Sequence, residues 1–212
     1  MNRELPILMS TPMVQAILEG RKTMTRRVIK PQPLEFYLPD SDRIKALLKV
    51  PKHTIKLQDR GNSDFIHILP APCYQVGDHL WVKETWRLSS HKNGDECPCY
   101  KADNMCFCGR PSLAPIEGPL WKSGRFMFKK YARLWLEVTA VKAERLDQIS
   151  EEDAIAEGTP IHDFFPVNTA RLAGLTTVSY FAQLWNSING KTHPWASKPW
   201  VWVYTFKRID KR

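Results

Sequence analysis

The 212-residue sequence predicts an α+β fold, a small mixed β-barrel with short flanking helices and two loop-rich insertions. Segments that alternate like strands are separated by short capped helices, which is the pattern of a mixed fold. No glycine-rich phosphate loop follows a predicted strand, and this argues against a doubly wound nucleotide-binding sheet. Because 43% of the residues are hydrophobic, the chain can build the core of a single domain over residues 1–212.

The first predicted helix begins at Thr11-Pro12, because Ser10 or Thr11 can cap it and proline suits a first turn. Gly20 ends this helix. Residues 31–75 contain repeated prolines and no sustained period, so we interpret them as an insertion with one helix around residues 40–49.

Regular structure is predicted again at LWVKETW, a strand that follows the turn at Gly77-Asp78. Residues 88–125 form a second insertion, rich in Gly, Pro, Cys and Lys, for which the composition predicts a loop or a metal-bound subsite. The segment ARLWLEVTAVKAERL then alternates well enough to predict a long strand.

Two further helices and a last strand are predicted towards the end of the chain. In ISEEDAIAEG, Ser150 is the cap, Asp153 is a weak capping-box acid and Gly158 ends the helix. The segment VSYFAQLWNSING places four apolar side chains on one helical face, namely Phe181, Leu184, Trp185 and Ile188. The apolar run PWVWVYTFKRI is typical of a strand that is buried on both sides.

The formal charge of +9 favours an anionic partner, such as a nucleic acid or an anionic small molecule. No apolar run is long enough to cross a bilayer, and the first residues, MNRELPILMS, do not resemble a signal peptide. We therefore expect a cytoplasmic protein with no membrane partner. The sequence does not predict an oligomeric state.

Charge is concentrated in EGRKTMTRRVIK, residues 19–30, directly behind the first predicted helix. Lys22 is either one solvated lysine of a basic patch or a pocket lysine with a chemical role. Thr25 is either an ordinary residue at the start of a strand or a reactive hydroxyl. A threonine becomes a nucleophile only when a base takes its proton, and lysine serves as that base only when its pKa is lowered.

Gly20 and Lys22, with Arg27 five positions later, resemble the GxKxxxxR signature of the ASCH family. The blocks LWVKETW, LEVTAVKAERLDQISEEDAIAEG and PWVWVYTFKRI are similar, in order, to blocks in ASCH proteins of bacteriophages and prophages. The resemblance implies a PUA-like β-barrel and, for a phage protein, a place in the host cytoplasm. It leaves most of both insertions uncovered.

Within that family, small bacterial N4-acetylcytidine amidohydrolases use a Lys, a Thr and a distant Glu. The resemblance therefore implies a hydrolase that removes an acyl group from N4-acetylcytidine or a related modified nucleoside, with Lys22, Thr25 and Glu157 as catalytic residues. Such hydrolysis requires no cofactor. Thr25 either attacks the acyl carbonyl itself or positions a water that Lys22 activates.

A second set of residues is predicted to bind substrate or nucleic acid, comprising Arg21, Arg26, Arg27, Glu84 and Trp86. Arg27 suits an anchor for a phosphate or carboxylate, since a guanidinium stays protonated. Glu84 is either structural or a ligand contact. The alternative function is an RNA- or nucleic-acid-binding PUA-like module, with or without ribonuclease activity, in which exposed tryptophans stack on bases.

Four cysteines lie close together within the second insertion, Cys97, Cys99, Cys106 and Cys108. Four thiolates can bind zinc tetrahedrally and stabilise a loop that lacks a core. The CxC spacing differs from the CxxC of common zinc sites, so free thiols remain the alternative. We expect any zinc here to be structural, because no histidine-rich or carboxylate-rich ligand set accompanies the cysteines.

Overall fold

The computed structural model of the protein describes residues 2–37, 54–58, 65–90, 96–109, 120–159 and 176–210. These ranges contain eleven strands and three α-helices. The strands are β1 Glu4–Leu8, β2 Met24–Val28, β3 Leu34–Tyr37, β4 Thr54–Gln58, β5 Phe65–Pro70, β6 His79–Lys83, β7 Trp86–Ser90, β8 Glu96–Tyr100, β9 Met105–Cys106, β10 Trp135–Arg145 and β11 Trp200–Ile209. The helices are α1 Thr11–Leu18, α2 Glu151–Ala156 and α3 Thr177–Asn189.

A five-stranded sheet in the order β1-β6-β10-β11-β2 is the centre of the fold. β1 pairs with β6 in parallel, and the other pairs are antiparallel. Within the described ranges β1 and β2 stand at opposite edges and do not pair with each other, so no closed barrel is seen. The predicted mixed α+β class is confirmed, whereas the PUA-like barrel stays a prediction.

The two faces of β11 pack against different apolar clusters. Trp202, Tyr204 and Phe206 belong to a cluster that includes side chains of α1, whereas Val201 and Val203 belong to a cluster that includes side chains of α3. Successive side chains of a strand point to opposite faces, so both faces of β11 are covered. The strand predicted to be buried on both sides is confirmed.

Both predicted insertions contain regular structure that the sequence pattern did not indicate. Residues 31–75 contain the three-stranded sheet β3-β5-β4, and β7-β8-β9 form a second such sheet that begins at Trp86. The predicted strand LWVKETW is therefore divided between β6 and β7. None of these strands is longer than six residues, too short for its alternation to stand out from the surrounding proline-rich and polar sequence, which is why composition favoured loops. The helix predicted around residues 40–49 lies outside the described residues.

The three helices predicted within the described residues are confirmed, with two differences in detail. The Ser150 hydroxyl accepts from the Asp153 backbone N–H at 3.1 Å, as a cap should, but the Asp153 carboxylate bonds to Arg26 and not to the cap. In α3, Phe181 and Trp185 are buried, while Ile188 is 57% exposed. None of the described helices is long and apolar enough to cross a membrane.

Candidate active site

The chain between α1 and β2 is held against the end of α2. Gly20 has a φ of +77°, a left-handed conformation that suits glycine and turns the chain out of α1. The Lys22 backbone N–H then donates to the Ala16 carbonyl at 2.9 Å, and the Thr23 N–H donates to the Ala156 carbonyl at 2.9 Å. These two bonds place Lys22 beside the residue that caps the C-terminus of α2, Glu157.

The Lys22 ammonium is fully buried and has three acceptors. Its Nζ lies 2.8 Å from Glu157 Oε2, 2.7 Å from the Glu157 carbonyl and 2.7 Å from the Met24 carbonyl. The exposed fraction of the Lys22 side chain is 0% and that of Glu157 is 4%. Three acceptors match the three N–H donors of a charged lysine, so the geometry is that of a buried ion pair.

Gly158 allows α1, Lys22 and α2 to approach this closely. Its φ is +80°, and a Cβ at this position would lie 2.8 Å from Ala16 Cβ and 2.9 Å from Lys22 Cβ. Real Cβ atoms do not approach neighbours so closely, since interiors are already packed to crystal density. Gly158 is thus both the end of α2 and the wall against which the Lys22 side chain packs.

Arg26 extends the ion pair into a larger group of charged side chains. We call it the Lys22 network, and it comprises Lys22, Arg26, Lys142, Glu144, Asp153 and Glu157. Its guanidinium lies 2.7 Å from Glu144 Oε1, 2.5 Å from Asp153 Oδ2 and 3.3 Å from Glu157 Oε1. Its side chain is 0% exposed, and it lies 5.9 Å from the centroid of the Phe181 ring. The sequence predicted a substrate or nucleic-acid contact for Arg26. The structure instead commits this guanidinium to three carboxylates.

Burial dominates the electrostatics of Lys22. Loss of solvent lowers the pKa of Lys22 below its ordinary value, while the Glu157 carboxylate opposes the shift and the Arg27 and Arg26 guanidinium groups add to it. The net direction is downward. A lysine whose pKa is lowered in this way holds a reactive neutral amine at a pH closer to neutrality, which is the property that a general base requires.

Thr25 is buried, with 2% of its surface exposed, and pairs with Tyr204 across the β2–β11 ladder. Because side chains alternate along a strand, Thr25 and Arg27 leave β2 on the face opposite Arg26. The bond from Lys22 Nζ to the Met24 carbonyl places the amine beside the peptide that joins Met24 to Thr25. Within the described part of the chain, the Thr25 hydroxyl has no hydrogen-bond partner.

Arg21 and Arg27, also predicted to bind substrate, lie at the edge of this site. Arg21 is exposed, pairs with Glu19 and donates to the Gly158 carbonyl at 3.1 Å. Arg27 donates to the Leu8 carbonyl at 2.9 Å. Both guanidinium groups therefore bond to backbone carbonyls, Arg21 at the end of α2 and Arg27 at the end of β1.

Glu84 lies apart from the Lys22 network, in a second buried ion pair. Its carboxylate accepts from Arg133 Nε and Nη2, each at 2.9 Å, and only 1% of its side chain is exposed. Burial raises the pKa of Glu84, while the bonds from Arg133 oppose the shift. Of the two roles considered for Glu84, structural or ligand-binding, this bidentate pairing is the one expected of a structural residue. Trp86, at the start of β7, is also buried.

The four clustered cysteines form two pairs, one across β8 and β9 and one between β8 and the residues that follow β9. Cys99 and Cys106 form a disulfide, and Cys97 Sγ accepts from the Cys108 backbone N–H at 3.3 Å. Within the described ranges no group of three His, Cys, Asp or Glu side chains is arranged to hold a metal. Thiolate ligation would require Cys99 and Cys106 to be reduced, so structural zinc stays a prediction that metal analysis of the reduced protein tests.

Three network residues were not predicted as site residues, namely Lys142, Glu144 and, beyond its capping role, Asp153. Lys142 Nζ lies 2.9 Å from Glu144 Oε2 and 3.3 Å from Asp153 Oδ2. Lys142 and Glu144 are two positions apart on β10 and so share one face. The sequence signal for these residues was the pair of opposite charges, Lys142 and Glu144, near the end of a strand that a helix follows.

Sequence comparison identifies no relative. No family model matches the chain, and no curated protein matches it either. Among solved structures, the chain is similar to protein EF3133 from Enterococcus faecalis V583, which is described by the family model DUF984. The superposition covers 99% of this chain and 77% of that one, with 10% identity and a TM-score of 0.39. A similarity at this level establishes neither a shared fold nor a shared activity.

Proposed function

We propose that the protein is a hydrolase that removes the acyl group from N4-acetylcytidine or a related modified nucleoside. The proposal includes membership of the ASCH family, with its PUA-like barrel, and a phage or prophage origin. One observation carries it: Lys22 and Glu157, which are 135 positions apart, meet in a buried contact of 2.8 Å. These are two of the three residues implied by the resemblance.

The surroundings of Lys22 support the role of a base. Burial lowers its pKa, which favours the neutral amine that a base needs. A neutral Lys22 has two N–H donors for the three acceptors around Nζ, so the proposed reaction requires its lone pair to turn from Glu157 towards Thr25. Arg26 holds the other carboxylate oxygen of Glu157, so this carboxylate stays in place when Lys22 loses its proton. An ordinary surface lysine would have neither property.

In the proposed reaction Thr25 Oγ1 attacks the acetyl carbonyl carbon while Lys22 Nζ accepts the hydroxyl proton. The carbon–nitrogen bond then breaks, and the exocyclic nitrogen takes that proton from Lys22 and leaves as the amine of cytidine. Water next cleaves the acyl group from Thr25 and releases acetate, with Lys22 acting again as base. In the alternative route Thr25 positions the water that Lys22 activates. Glu157 orients Lys22 in both.

The test is release of cytidine and acetate from N4-acetylcytidine by the wild type and by variants at each position. We expect Lys22→Ala, Thr25→Ala and Glu157→Gln each to lower kcat/KM at least roughly a hundredfold, the scale of one general acid–base group. Thr25→Ser, which restores a hydroxyl, should recover activity, whereas Thr25→Val should not. Turnover that survives all three losses would refute the proposal.

A further inference from the structure

A second feature of the molecule is a cleft that shares no residue with the Lys22 network. Its volume is about 490 Å³. We call it the aromatic cleft, and define it by its lining residues: Lys83, Trp86, Leu88, Lys122, Arg125, Phe126, Met127, Phe128 and Tyr131. The lining contains three cations and four aromatic rings, and no carboxylate.

The segment that forms one wall of the cleft is held rigidly against β6 and β7. Lys122 and Trp86 exchange backbone hydrogen bonds of 2.8 and 3.1 Å. A Cβ on Gly124 would lie 2.9 Å from the Glu84 backbone, so only glycine permits this approach. Met127 is 2% exposed and its sulfur accepts from the Glu84 N–H at 3.4 Å. Contacts within the protein therefore fix the shape of this wall without a ligand.

This anchoring leaves two aromatic rings in solvent. Phe126 is 69% exposed and Phe128 is 63% exposed, on either side of the buried Met127. They are separated in sequence by Met127 alone, whose backbone is extended with φ −75° and ψ 135°. The segment that buries Met127 thus exposes both phenylalanines, which present a surface for stacking.

Among the residues that the structure describes, no carboxylate neutralises the cations of the cleft. Lys83 Nζ donates to the Arg125 carbonyl at 2.6 Å and lies 5.5 Å from the centroid of the Trp81 ring. Lys122 Nζ lies 5.6 Å from the centroid of the Trp86 ring. Across the described residues, Lys83, Lys122 and Arg125 form no ion pair with a carboxylate. The buried indole N–H of Trp86 also has no acceptor among the described residues.

We propose that the aromatic cleft binds single-stranded nucleic acid, with unpaired bases stacked on Phe126 and Phe128 and phosphates held by Lys83, Lys122 and Arg125. Stacking platforms beside a basic groove are the general means of binding single strands without sequence preference. An acidic peptide would use the cations but not two exposed ring faces. The inference does not depend on the proposed hydrolase activity.

The test is a titration of the full-length protein into labelled single-stranded RNA and DNA of about 12 nucleotides, followed by fluorescence anisotropy. We expect binding that weakens steeply as salt rises, and weaker binding to a duplex, whose bases are already stacked. Phe126→Ala and Phe128→Ala should each weaken the Kd roughly fivefold or more. Lys122→Ala and Arg125→Ala should weaken binding and reduce the salt dependence.

Matched controls come from exposed residues outside the cleft. Phe107→Ala removes another exposed ring and Lys191→Ala another exposed cation, and neither should change the Kd. Lys22→Ala should bind normally while losing hydrolysis, which separates the cleft from the proposed active site. The four cleft substitutions replace exposed side chains, so circular dichroism should show unchanged folding.

Two results would overturn the inference. The first is the absence of oligonucleotide binding at low salt, or binding that the cleft substitutions leave unchanged. The second is binding to anionic lipid vesicles that the same substitutions abolish, without oligonucleotide binding, which would assign the aromatic cleft to a membrane surface.

Discussion

The Lys22 network and the aromatic cleft use the same basic side chains in opposite ways. In the network, Lys22 and Arg26 are fully buried and each is bonded to carboxylates. In the cleft, Lys122 and Arg125 lie at the surface beside aromatic rings, without acidic partners within the described ranges. A buried cation needs a compensating charge to be tolerated, whereas an exposed one keeps its hydration and stays available to an anion. A count of basic residues alone therefore does not locate a binding surface.

The largest loss of folding stability should follow removal of a carboxylate from the Lys22 network. Glu157→Ala leaves Lys22 and Arg26 buried with one fewer counter-charge, and we expect it to lower the free energy of unfolding by about 3–5 kcal/mol. The matched control is Glu152→Ala, an exposed acid on the same helix, which should change stability by less than about 0.5 kcal/mol. Urea denaturation measures both. Equal effects at the two positions would mean that the network does not stabilise the fold.

The next effect concerns the packing around Lys22. Gly158 and Gly20 have nearly the same positive φ, +80° and +77°, but a Cβ meets close neighbours only at Gly158. Substitution by alanine imposes backbone strain at both positions, so the difference between them isolates the steric clash. We expect Gly158→Ala to cost about 1–3 kcal/mol more than Gly20→Ala in thermal or urea unfolding. A larger cost at Gly20 would contradict the packing described here.

A smaller effect should appear in the pH dependence of stability. Because burial lowers the Lys22 pKa from its ordinary 10.5, the unfolded chain binds more protons than the folded chain between the two pKa values. The Lys22 contribution to the free energy of unfolding should therefore rise with pH across that window.

Lys22→Met removes this titration while keeping an unbranched apolar chain. The stability of the wild type relative to Lys22→Met should accordingly increase as pH rises towards 10.5. Urea denaturation at a series of pH values measures the difference. A constant or falling difference would show that the Glu157 partner, and not burial, dominates the Lys22 pKa.

The smallest expected change is in the cleft. Lys122→Ala and Arg125→Ala, singly or together, should alter the free energy of unfolding by no more than about 0.5 kcal/mol per substitution, since both side chains are exposed. If these variants are instead as destabilised as Glu157→Ala, the cleft cations belong to the structural framework and the contrast between the regions fails.

Local signals predicted the helices well. The start of α1 was marked by Thr11-Pro12 before an apolar run, and the start of α2 by Ser150 before three acids. Gly20 and Gly158 marked the two ends. These signals are readable because caps and left-handed glycines act within a few residues. Strand prediction succeeded for β10 and β11, whose alternation or apolar run is long. It failed for the strands of the insertions, none longer than six residues, because so short an alternation is not distinctive.

The candidate site was predicted only in part. The residue types of Lys22, Thr25 and Glu157 came from the resemblance, and the structure brings the first and third into contact. Glu144 and Lys142 were missed because their opposite charges at alternate positions of β10 do not by themselves indicate that the strand faces Arg26. The aromatic cleft was missed, apart from Trp86, because residues 124–131 show no helical or strand period, and exposure of alternate rings depends on the anchoring of Met127.

By itself, the sequence determined the helix boundaries, the long central strands and the excess of positive charge, because each follows from neighbouring residues or from composition. The tertiary structure alone decided which of those charges are buried and which remain open to an anion. Lys22 and Glu157 are separated by 135 positions, and only the packing of α1 against α2 through Gly158 brings them within 2.8 Å. Pair energies of this kind depend on distance and burial, which no local pattern of residues specifies.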